Sequence, residues 1–376
     1  MKEQLIILSY DYPPNDGGIS RLTSAFAKQL ADSGMNLEVC TLKADNVEQR
    51  LSRPELPTIE LSRKKGLREL ELIKYLISKP KQIKVITTVW NPEGTLALLL
   101  RRTNLYILAH GNEVMPYPKG PKYLLKSWLR KKVLTSARCV VCNSQYTEQL
   151  VANISPNIKT EVINPGVDLE NFATNITQAE ARQTLGLPFD KSIVLSVSRI
   201  DDYKGHDVIL DALASLSKEQ LEHIHYVVAG KGRHLENLKH RAKELQINDY
   251  INWFGFVSDE DLPALYKAAD LFILCTREDK QQRGVEGFGM VFLEAQAAGL
   301  AVVGTRAGGI PDAIKSNEGG WLIDQNDSQA VATYLKKLVN NPQEFYEQGK
   351  LGYERVQNHC TWQHYTRALL TILEKY

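Results

Sequence analysis

Two glutamates eight residues apart, Glu286 and Glu294, carry the densest chemical signal in the 376-residue sequence. The first lies before a glycine-rich turn over 287–290, and the second lies about one turn inside a helix predicted over 290–298. Free amides at the start of that helix favour an anion, and each carboxylate accepts hydrogen bonds from ligand hydroxyls. The segment therefore predicts a ligand with phosphate and hydroxyl groups. Its expected contacts are Glu286, Gly287, Phe288, Gly289, Met290, Val291 and Glu294.

Cationic side chains stand at the ends of two predicted strands in the same half of the chain. Arg199 and Lys204 lie on the loop after one strand, where two positive charges can clamp a diphosphate whose charge grows when it leaves. Gly230 and Lys231 end the next strand, and a glycine there permits close backbone approach to a nucleotide base or a ribose phosphate. Both positions therefore predict contacts to an anionic ligand.

The first half of the chain repeats this theme in a weaker form. Gly17 and Gly18 precede an amphipathic stretch, so the backbone at a helix entrance can approach a phosphate or a sugar hydroxyl. His110 ends a predicted strand and can bind a phosphate or sugar oxygen, although a purely structural histidine is equally consistent with this position. The spacing G-x-G-x-x-G, which is typical of dinucleotide enzymes, is absent.

All of these residues lie near the carboxyl end of a predicted strand. Short runs rich in Val and Ile alternate with helical patterns, which is typical of parallel sheets built from βαβ units. Ligands of open parallel sheets bind beyond the carboxyl ends of the strands. The pattern therefore predicts an α/β protein with its site at those ends. The predicted strands span 4–10, 37–42, 84–90, 105–110, 138–143, 160–166, 192–199, 225–232, 250–257, 271–276, 300–305 and 320–324.

The length of 376 residues exceeds what one hydrophobic core usually supports, so we predict two domains. A polar segment over 167–191 separates the two sets of strands and is a suitable boundary. Five cysteines indicate no disulfide framework, and Cys139 and Cys142 lie in an apolar run typical of a buried strand. Neither a signal peptide nor a membrane-spanning stretch is recognisable, so we expect a cytoplasmic protein.

The order and spacing of short motifs resemble those of the retaining nucleotide-sugar glycosyltransferases of family 4. The matching segments cover nearly the whole chain, and their joint order is more specific than any single motif. The resemblance implies an α/β protein with the GT-B fold, in which two Rossmann-like domains face each other across a cleft. The motifs are YPPNDGGIS, HGNE, NSQYT, INPGVD, SVSRIDDYKG, VVAGKG, the E-x7-E from Glu286 to Glu294, and AGGIPD from Ala307 to Asp312.

The resemblance also implies a division of labour along the chain. Residues 1–172 would form an acceptor-binding domain, and residues 173–357 would form a nucleotide-sugar-binding domain. Residues 358–376 would form a helix that crosses back to the first domain. The donor is then a nucleotide sugar, and the acceptor is a sugar or a lipid-linked sugar.

Donor contacts are implied at the matching positions of the second domain. Arg199 and Lys204 would hold the donor diphosphate, and Glu294 would bind the ribose hydroxyls. Glu286, together with the backbone of 288–290, would bind the transferred sugar. The anomeric configuration would be retained by same-face attack assisted by the leaving phosphate.

Matching positions of the first domain would complete the site. Gly17 and Gly18 would approach the donor phosphates or the acceptor, and His110 would contact the sugar or its phosphate. No residue is identified as a covalent nucleophile. Catalysis would rest on His110, Glu286, Arg199 and Lys204.

The identity of the donor sugar is the least determined feature. The insert over 277–291 resembles the loop of some GDP-mannose-dependent mannosyltransferases, which slightly favours GDP-mannose over UDP-linked glucose, galactose or N-acetylglucosamine. No D-x-D follows a predicted strand, and cationic side chains with helix dipoles can neutralise the phosphates, so we predict no metal and no other cofactor. Alternatives are a sugar phosphorylase, an epimerase or a non-catalytic scaffold of the same fold. A scaffold would be expected to have lost Arg199, Lys204 or Glu286.

A basic segment suggests where the acceptor comes from. From Lys119 to Arg138 the chain has seven Lys and Arg residues and no Asp or Glu, although the net charge of the whole chain is only +2. The pattern over 121–134 predicts a basic amphipathic helix, which either lies on an anionic membrane surface through Lys119 to Lys132 or packs its apolar side into the domain. The resemblance favours the membrane, and hence polysaccharide or glycolipid synthesis at its inner face. Nucleic acid is not expected, since no binding motif accompanies the charges.

Overall fold

The computed structural model describes residues 4–15, 17–45, 55–118, 120–172, 174, 176–279 and 284–376. The chain divides into two compact units. The first combines Met1–Gly166 with the C-terminal residues Trp362–Tyr376, and the second is continuous from Val167 to Thr361. Each unit has its own parallel sheet.

The sheet of the first unit contains seven described strands. They are β1 (Gln4–Leu8), β2 (Asn36–Leu42), β3 (Thr58–Leu61), β4 (Lys84–Thr87), β5 (Leu105–Ala109), β6 (Cys139–Cys142) and β7 (Thr160–Val162). Their order across the sheet is β3-β2-β1-β4-β5-β6-β7, so the side on which successive strands are added changes between β1 and β4, although all strands are parallel. In register, Leu5 is paired with Leu37 on one side and with Lys84 on the other. Loops after β1 and β4 diverge at this point and leave a crevice.

The sheet of the second unit has the same winding with six described strands. They are β8 (Ser192–Val197), β9 (Ile224–Ala229), β10 (Ile251–Gly255), β11 (Leu271–Leu274), β12 (Ala301–Thr305) and β13 (Gly320–Ile323). Their order is β10-β9-β8-β11-β12-β13, with the reversal between β8 and β11. Val194 packs in one hydrophobic cluster, whereas Ile193 and Leu195 pack in another. Both faces of the sheet are therefore buried, which explains the continuous apolar runs in the sequence.

All twelve predicted strands are present, and β3 was missed. This strand has four residues, of which only Leu61 is buried, and Glu60 interrupts its apolar residues. A short strand at the edge of a sheet does not need the Val- and Ile-rich run that marks the buried strands.

Helices connect the strands as the alternating pattern predicts. Helix starts and ends follow local chemistry: Thr177 and Glu180 form a capping box, and the same helix ends at Gly186 with φ +63°. The described helices are α1 (Gly18–Asp32), α2 (Leu67–Ser78), α3 (Thr95–Leu99), α4 (Pro121–Ser136), α5 (Gln145–Ile154), α6 (Leu169–Phe172), α7 (Gln178–Leu185), α8 (His206–Ala214), α9 (Lys218–Glu222), α10 (Leu235–Glu244), α11 (Leu262–Ala268), α12 (Met290–Ala297), α13 (Ile310–Ala313), α14 (Ser328–Asn340), α15 (Pro342–His359) and α16 (Trp362–Lys375).

The unit boundaries differ by a few residues from the predicted limits after 172 and 357. The backbone N–H of Val167 donates to the carbonyl of Cys360 at 2.9 Å, so the chain is already part of the second unit at Val167. Helix α16 belongs to the first unit, where the ring of Tyr365 lies 5.9 Å from that of Phe26. Among the described residues, no helix combines the length and the apolar character needed to cross a membrane.

Candidate functional site

The reversal between β8 and β11 organises the candidate site of the second unit, because ligands of open parallel sheets bind at such a point. Two loops leave the sheet here: residues 198–205, which we call the β8 loop, and residues 275–289 after β11. Residues 280–283 of the second loop, part of the insert that favoured GDP-mannose, lie outside the described residues. The predicted donor contacts come from these loops, from the loop after β9 and from α12.

Lys204 and Glu286 connect the two loops directly. Nζ of Lys204 donates a hydrogen bond to Oε2 of Glu286 at 2.5 Å, and the two side chains are only 10% and 19% exposed. Burial alone lowers the pKa of Lys204, but the attraction of Glu286 outweighs burial, and the pKa lies above its ordinary value. The two residues therefore form an ion pair that holds a cation and a carboxylate side by side at the strand reversal.

Arg199 is the exposed cation of the β8 loop. Its guanidinium lies 3.5 Å from the carboxylate of Asp201, and its side chain is 72% exposed. The same guanidinium donates to the hydroxyl of Tyr203 at 3.1 Å. Asp201 also lies 3.5 Å from the guanidinium of Arg233, which follows β9. The sequence indicated Arg199 but not Asp201 or Tyr203, because loop residues that hold another side chain follow no periodic pattern.

The glycines after β9 pack against the protein itself. A Cβ atom at Gly230 would lie 1.8 Å from the carbonyl oxygen of Ser198, and one at Gly232 would lie 2.1 Å from that of Ile200. The close approach predicted for a ligand is therefore required first between two loops of the chain. Lys231 is exposed, with its ammonium 5.2 Å from the centre of the Phe256 ring.

Two glycines after β12 hold the backbone of Glu286. The N–H of Gly309 donates to the carbonyl of Glu286 at 2.8 Å. A Cβ atom at Gly308, where φ is +53°, would lie 2.2 Å from the same oxygen. The N–H of Gly308 donates to the carboxylate of Glu278 at 3.3 Å. The AGGIPD motif therefore fixes the position of Glu286.

Helix α12 begins at Met290, as predicted. Gly289 precedes it with φ +97°, a left-handed conformation that favours glycine, and offers no side chain to cap the first amides. Phe288 is buried, with only 3% of the residue exposed, and Gly289 is buried beside it. Gly287 and Val291 are half-buried. This segment therefore presents backbone amides beside Glu286.

Glu294 is buried inside α12 with a tyrosine partner. It is 6% exposed, and the hydroxyl of Tyr266 donates to its Oε2 at 2.9 Å. A carboxylate in apolar surroundings needs a hydrogen-bond partner, and the Tyr266 hydroxyl is one. Tyr266 itself was missed because it lies on α11, 28 residues earlier in the chain.

Gly17 and Gly18 open helix α1 in the first unit, the former as its N-cap and the latter as its first residue. Gly17 has an extended backbone, and a Cβ atom there would lie 3.6 Å from the carboxylate of Asp11, which is an ordinary contact. Burial raises the pKa of Asp11, and the charge of His110 acts in the opposite direction. Gly17, Asp11 and His110 therefore share one neighbourhood.

His110 follows β5, and its ring is oriented by the backbone of Thr88, the residue directly after β4. Its Nε2 lies 2.9 Å from the carbonyl oxygen of Thr88. A carbonyl only accepts, so the neutral ring carries its hydrogen on Nε2 and has Nδ1 as an acceptor. The N–H of His110 donates to Glu113 at 2.6 Å, and the side-chain amide of Asn143 donates to the carbonyl of His110 at 3.2 Å. Residues from the HGNE and NSQYT motifs thus fix this turn.

Glu93 is a buried carboxyl group that the sequence did not indicate. It follows β4 and is 2% exposed, and its Oε1 accepts from the N–H of Tyr10 at 3.2 Å. Its Oε2 has no hydrogen-bond partner in the part of the chain that the structure describes. Burial raises the pKa of Glu93 to about 7, and the nearby Asp11 adds a smaller effect in the same direction. Its position at the reversal between β1 and β4 is the signal that could have found it.

Helix α4 confirms the predicted basic helix and presents apolar side chains to solvent. Leu124, Leu125 and Trp128 are 69%, 71% and 61% exposed. Arg130 is turned inward, where it is 3% exposed and donates to a backbone carbonyl at 2.7 Å. For these three apolar residues, packing into the domain is therefore excluded. Lys119, at the start of the predicted basic segment, lies outside the described residues.

Cysteines and acidic residues form no metal site in the described ranges, where no group of three or more His, Cys, Asp and Glu side chains is placed to hold a metal ion. Cys139 and Cys142 are buried on β6, as predicted. The prediction that the protein works without a metal stays a prediction.

Comparison with known proteins covers both units. The family model described as Glycosyltransferase Family 4 matches residues 16–171, and the model described as Glycosyl transferases group 1 matches residues 177–354. A relative from Mycolicibacterium smegmatis, named GDP-mannose-dependent alpha-(1-6)-phosphatidylinositol monomannoside mannosyltransferase, is 28% identical over 373 residues, which is 95% of each chain.

Solved structures agree in fold over the whole chain. Sucrose-phosphate synthase from Thermosynechococcus elongatus superposes with a TM-score of 0.78 at 23% identity, over 99% of this chain and 98% of that one. HepE from Anabaena, in complex with UDP-glucose, gives a TM-score of 0.80 at 18% identity, over 99% and 100%. The two α/β units thus have the GT-B fold, and the chain belongs to the family 4 glycosyltransferases.

Proposed function

We propose that this glycosyltransferase moves a hexose from a nucleotide sugar to a sugar or lipid-linked sugar acceptor and retains the anomeric configuration. The observation that carries the proposal is the ion pair of Lys204 and Glu286, 2.5 Å apart where the strand order reverses. Binding of a diphosphate requires a cation, and binding of a hexose requires a group that accepts hydrogen bonds from its hydroxyls. The pair offers both groups at adjacent positions.

The donor would bind along the edge of the second sheet. Lys204 and the exposed Arg199 would hold the diphosphate and stabilise its charge as it leaves. The backbone amides at the start of α12 would bind the same diphosphate, because helix N-termini attract phosphates. Glu286 would accept from the sugar hydroxyls, and Glu294 would bind the ribose. Gly230 and Lys231 would flank the nucleotide.

The chemistry follows from charge stabilisation without a covalent nucleophile or a metal. An acceptor hydroxyl oxygen would attack the anomeric carbon on the face that the diphosphate leaves. The bond from that carbon to the diphosphate oxygen breaks, and the hydroxyl proton passes to the departing phosphate oxygen. Arg199 and Lys204 would neutralise the charge that a metal ion neutralises in other enzymes. Retention is tested by NMR of the product anomer, and an inverted product would refute this step.

The first unit would supply the acceptor side. Gly17 and Gly18 place no side chain at the start of α1, and Nδ1 of a neutral His110 can accept a hydrogen bond from a sugar hydroxyl. This orientation favours a hydroxyl over a phosphate as the partner of His110. A His110→Phe variant is expected to raise the acceptor KM more than the donor KM, and the opposite order would contradict the assignment.

GDP-mannose is the donor that we favour over a UDP-linked hexose. The support is the name of the mycobacterial relative, a GDP-mannose-dependent mannosyltransferase, whereas HepE was solved with UDP-glucose. Thermal unfolding with GDP, UDP and ADP, followed by transfer assays with GDP-mannose and UDP-glucose, separates the two donors. Stabilisation by UDP alone would reject GDP-mannose. Donor turnover that needs inorganic phosphate would indicate a phosphorylase, and conversion of the free donor to its epimer would indicate an epimerase.

The acceptor would reach the enzyme at an anionic membrane surface on the cytoplasmic side. Helix α4 supports this, because its exposed Leu125 and Trp128 lie among the cations Lys122, Lys126 and Lys132. Apolar side chains ringed by Lys insert into the interface of an anionic bilayer. We expect Trp128→Ser to reduce sedimentation with phosphatidylglycerol vesicles at low salt.

Phe189 provides the matched control for the vesicle experiment. It is 62% exposed, compared with 61% for Trp128, and lies in the second unit. Phe189→Ser should leave sedimentation unchanged. Equal loss in both variants, or no binding by the unaltered protein, would refute the membrane proposal and leave the donor assignments standing.

A further inference from the structure

A chain of hydrogen-bonding side chains runs beneath the β8 loop. Oγ of Ser198 lies 2.9 Å from Nε2 of His206, and Nδ1 of His206 lies 3.0 Å from the hydroxyl of Tyr226. The Tyr226 hydroxyl lies 2.9 Å from Oγ of Ser196. His206 and Tyr226 are 2% and 0% exposed, so water does not substitute for these contacts.

Both ends of this chain terminate at backbone carbonyls. Oγ of Ser196 donates to the carbonyl of Ile273 at 2.5 Å, and Oγ of Ser198 lies within donating distance, 3.0 Å, of the carbonyl of Arg199. The chain therefore contains five contacts in all. Three hydroxyls and one neutral imidazole supply only four hydrogens. One of the five contacts must lack its hydrogen.

Burial determines which of the five contacts lacks a hydrogen. Ile273 lies in the fully buried strand β11, where an unmet carbonyl is costly, so Ser196 keeps its hydrogen on that carbonyl. Tyr226 then donates to Ser196, and the imidazole donates from Nδ1 to Tyr226. The hydroxyl of Ser198 is left to donate to Nε2. The contact without a hydrogen falls at the exposed end, where solvent can hydrate the backbone carbonyl.

The charge state of His206 agrees with this count. Burial lowers its pKa to about 4, and the nearby Lys204 ammonium acts in the same direction. Asp207 acts against these two, and His234 acts with them. A fifth hydrogen on the imidazole is therefore disfavoured at neutral pH, and the ring holds one tautomer.

We propose that neutral His206, fixed as its Nδ1–H tautomer by Tyr226, is a positioning residue that closes the β8 loop and sets Arg199 and Lys204 for the donor. Ser198 is the first residue of this loop, and His206 directly follows the last. Their hydrogen bond therefore ties the two ends of the segment that carries both cations. This inference rests on the proposed function, in which those cations bind the donor diphosphate.

The tautomer can be measured without any ligand. In protein labelled with ¹⁵N-histidine, two-bond ¹H–¹⁵N correlations distinguish a ring protonated at Nδ1 from one protonated at Nε2. We expect the Nδ1–H pattern for His206 at pH 7. Tyr226→Phe removes the acceptor of that hydrogen, so the pattern should change to Nε2–H. A resonance of the Nε2–H form or of the charged ring in the unaltered protein would overturn the inference.

Kinetics then test what the chain of contacts does. Tyr226→Phe should raise the donor KM about tenfold, as expected when one buried hydrogen-bond partner is lost, and should also lower kcat, because the displaced cations stabilise the charge of the leaving diphosphate. Ser198→Ala alters only the end of the loop and should raise the donor KM by a similar factor. This variant keeps the test valid if Tyr226→Phe fails to fold. Tyr365→Phe, at a buried tyrosine of the first unit, should leave both constants unchanged.

A double-mutant cycle separates this inference from the proposed function. Arg199→Ala alone should raise the donor KM, and an unchanged KM would refute the donor assignment whatever His206 does. If Tyr226 acts through Arg199, adding Tyr226→Phe to Arg199→Ala should raise the KM by much less than tenfold. A full multiplicative effect in the double variant would show a merely structural role and overturn the positioning proposal.

Discussion

The ion pair of Lys204 and Glu286 makes the sharpest prediction for stability and ligand binding. Glu286→Gln keeps the shape of the side chain and removes its charge, which leaves the Lys204 ammonium without its counter-ion. Loss of one partner of a fully buried pair costs about 3–5 kcal/mol. Because Glu286 is 19% exposed, solvent screens part of this cost. We therefore expect a loss of about 2–3 kcal/mol in the free energy of unfolding of the second unit.

This loss is large enough to see by calorimetry. For a unit of the size of Val167–Thr361, each kcal/mol shifts Tm by about 2–4 °C, so the second unit should unfold about 5–10 °C earlier. Glu236→Gln is the matched control, since Glu236 is 79% exposed and lies 2.9 Å from Lys239 on α10. Surface pairs of this kind contribute about 0–1 kcal/mol, so its Tm should move by at most about 4 °C.

The rise in Tm on adding a nucleoside diphosphate should differ between variants of Glu286 and variants of Lys204. In Glu286→Gln the ligand phosphates supply the missing anion, so GDP or UDP should raise Tm more than in the unaltered protein. In Lys204→Met the cation is gone, so the same nucleotide should raise Tm less. Equal nucleotide shifts in the two variants, or unchanged stability of Glu286→Gln, would refute the assignment of Lys204 to the diphosphate.

Three further perturbations test other parts of the structure. Tyr266→Phe removes a hydrogen bond to the buried carboxylate of Glu294 and should lower stability by about 1–3 kcal/mol in denaturant titrations. Gly308→Ala places a methyl group 2.2 Å from a carbonyl oxygen and should abolish transfer. Gly186→Ala is its control, because φ is also positive there, at +63°, but the surrounding space is open. It should lower the free energy of unfolding by only about 1–2 kcal/mol and leave the transfer rate unchanged. Glu93→Gln tests the carboxyl pKa that burial raises. The protonated Glu93 contributes fully to the stability of the folded protein below pH 4.5, and this contribution is lost as the pH rises through about 7. The stability of the unaltered protein relative to Glu93→Gln should therefore fall by about 3 kcal/mol between pH 4 and pH 8, and a constant difference would contradict a carboxyl pKa raised by burial.

Sequence periodicity was sufficient for the twelve strands and for the ends of those strands, where the candidate residues were expected. Buried parallel strands require continuous apolar runs, and their carboxyl ends gather at one edge of each sheet, so residues such as Arg199 and Glu286 could be placed without coordinates. The edge strand β3 escaped because Glu60 interrupts its apolar residues. The start of α12 at Met290 was predictable because a glycine turn precedes it.

Partners of the site residues were not predictable, since they depend on how separate loops pack. Tyr266 reaches Glu294 from another helix, and Asp201 holds both Arg199 and Arg233. A glycine at a strand end permits close approach either of a ligand or of the protein's own backbone, and the sequence does not distinguish the two. At Gly230 the close approach is to the protein's own backbone, because a side chain there would clash with the β8 loop.

The exposures of the two cations suggest an order for donor capture under the proposed function. Arg199 is 72% exposed and meets an approaching diphosphate first, whereas Lys204 is 10% exposed and already paired with Glu286. The pairing keeps Lys204 charged despite its burial, since Glu286 raises the pKa that burial alone would lower. Diphosphate binding would then share this ammonium between phosphate and carboxylate without removing it from Glu286. A cation held in this way is ready to stabilise the charge that develops when the sugar leaves the diphosphate.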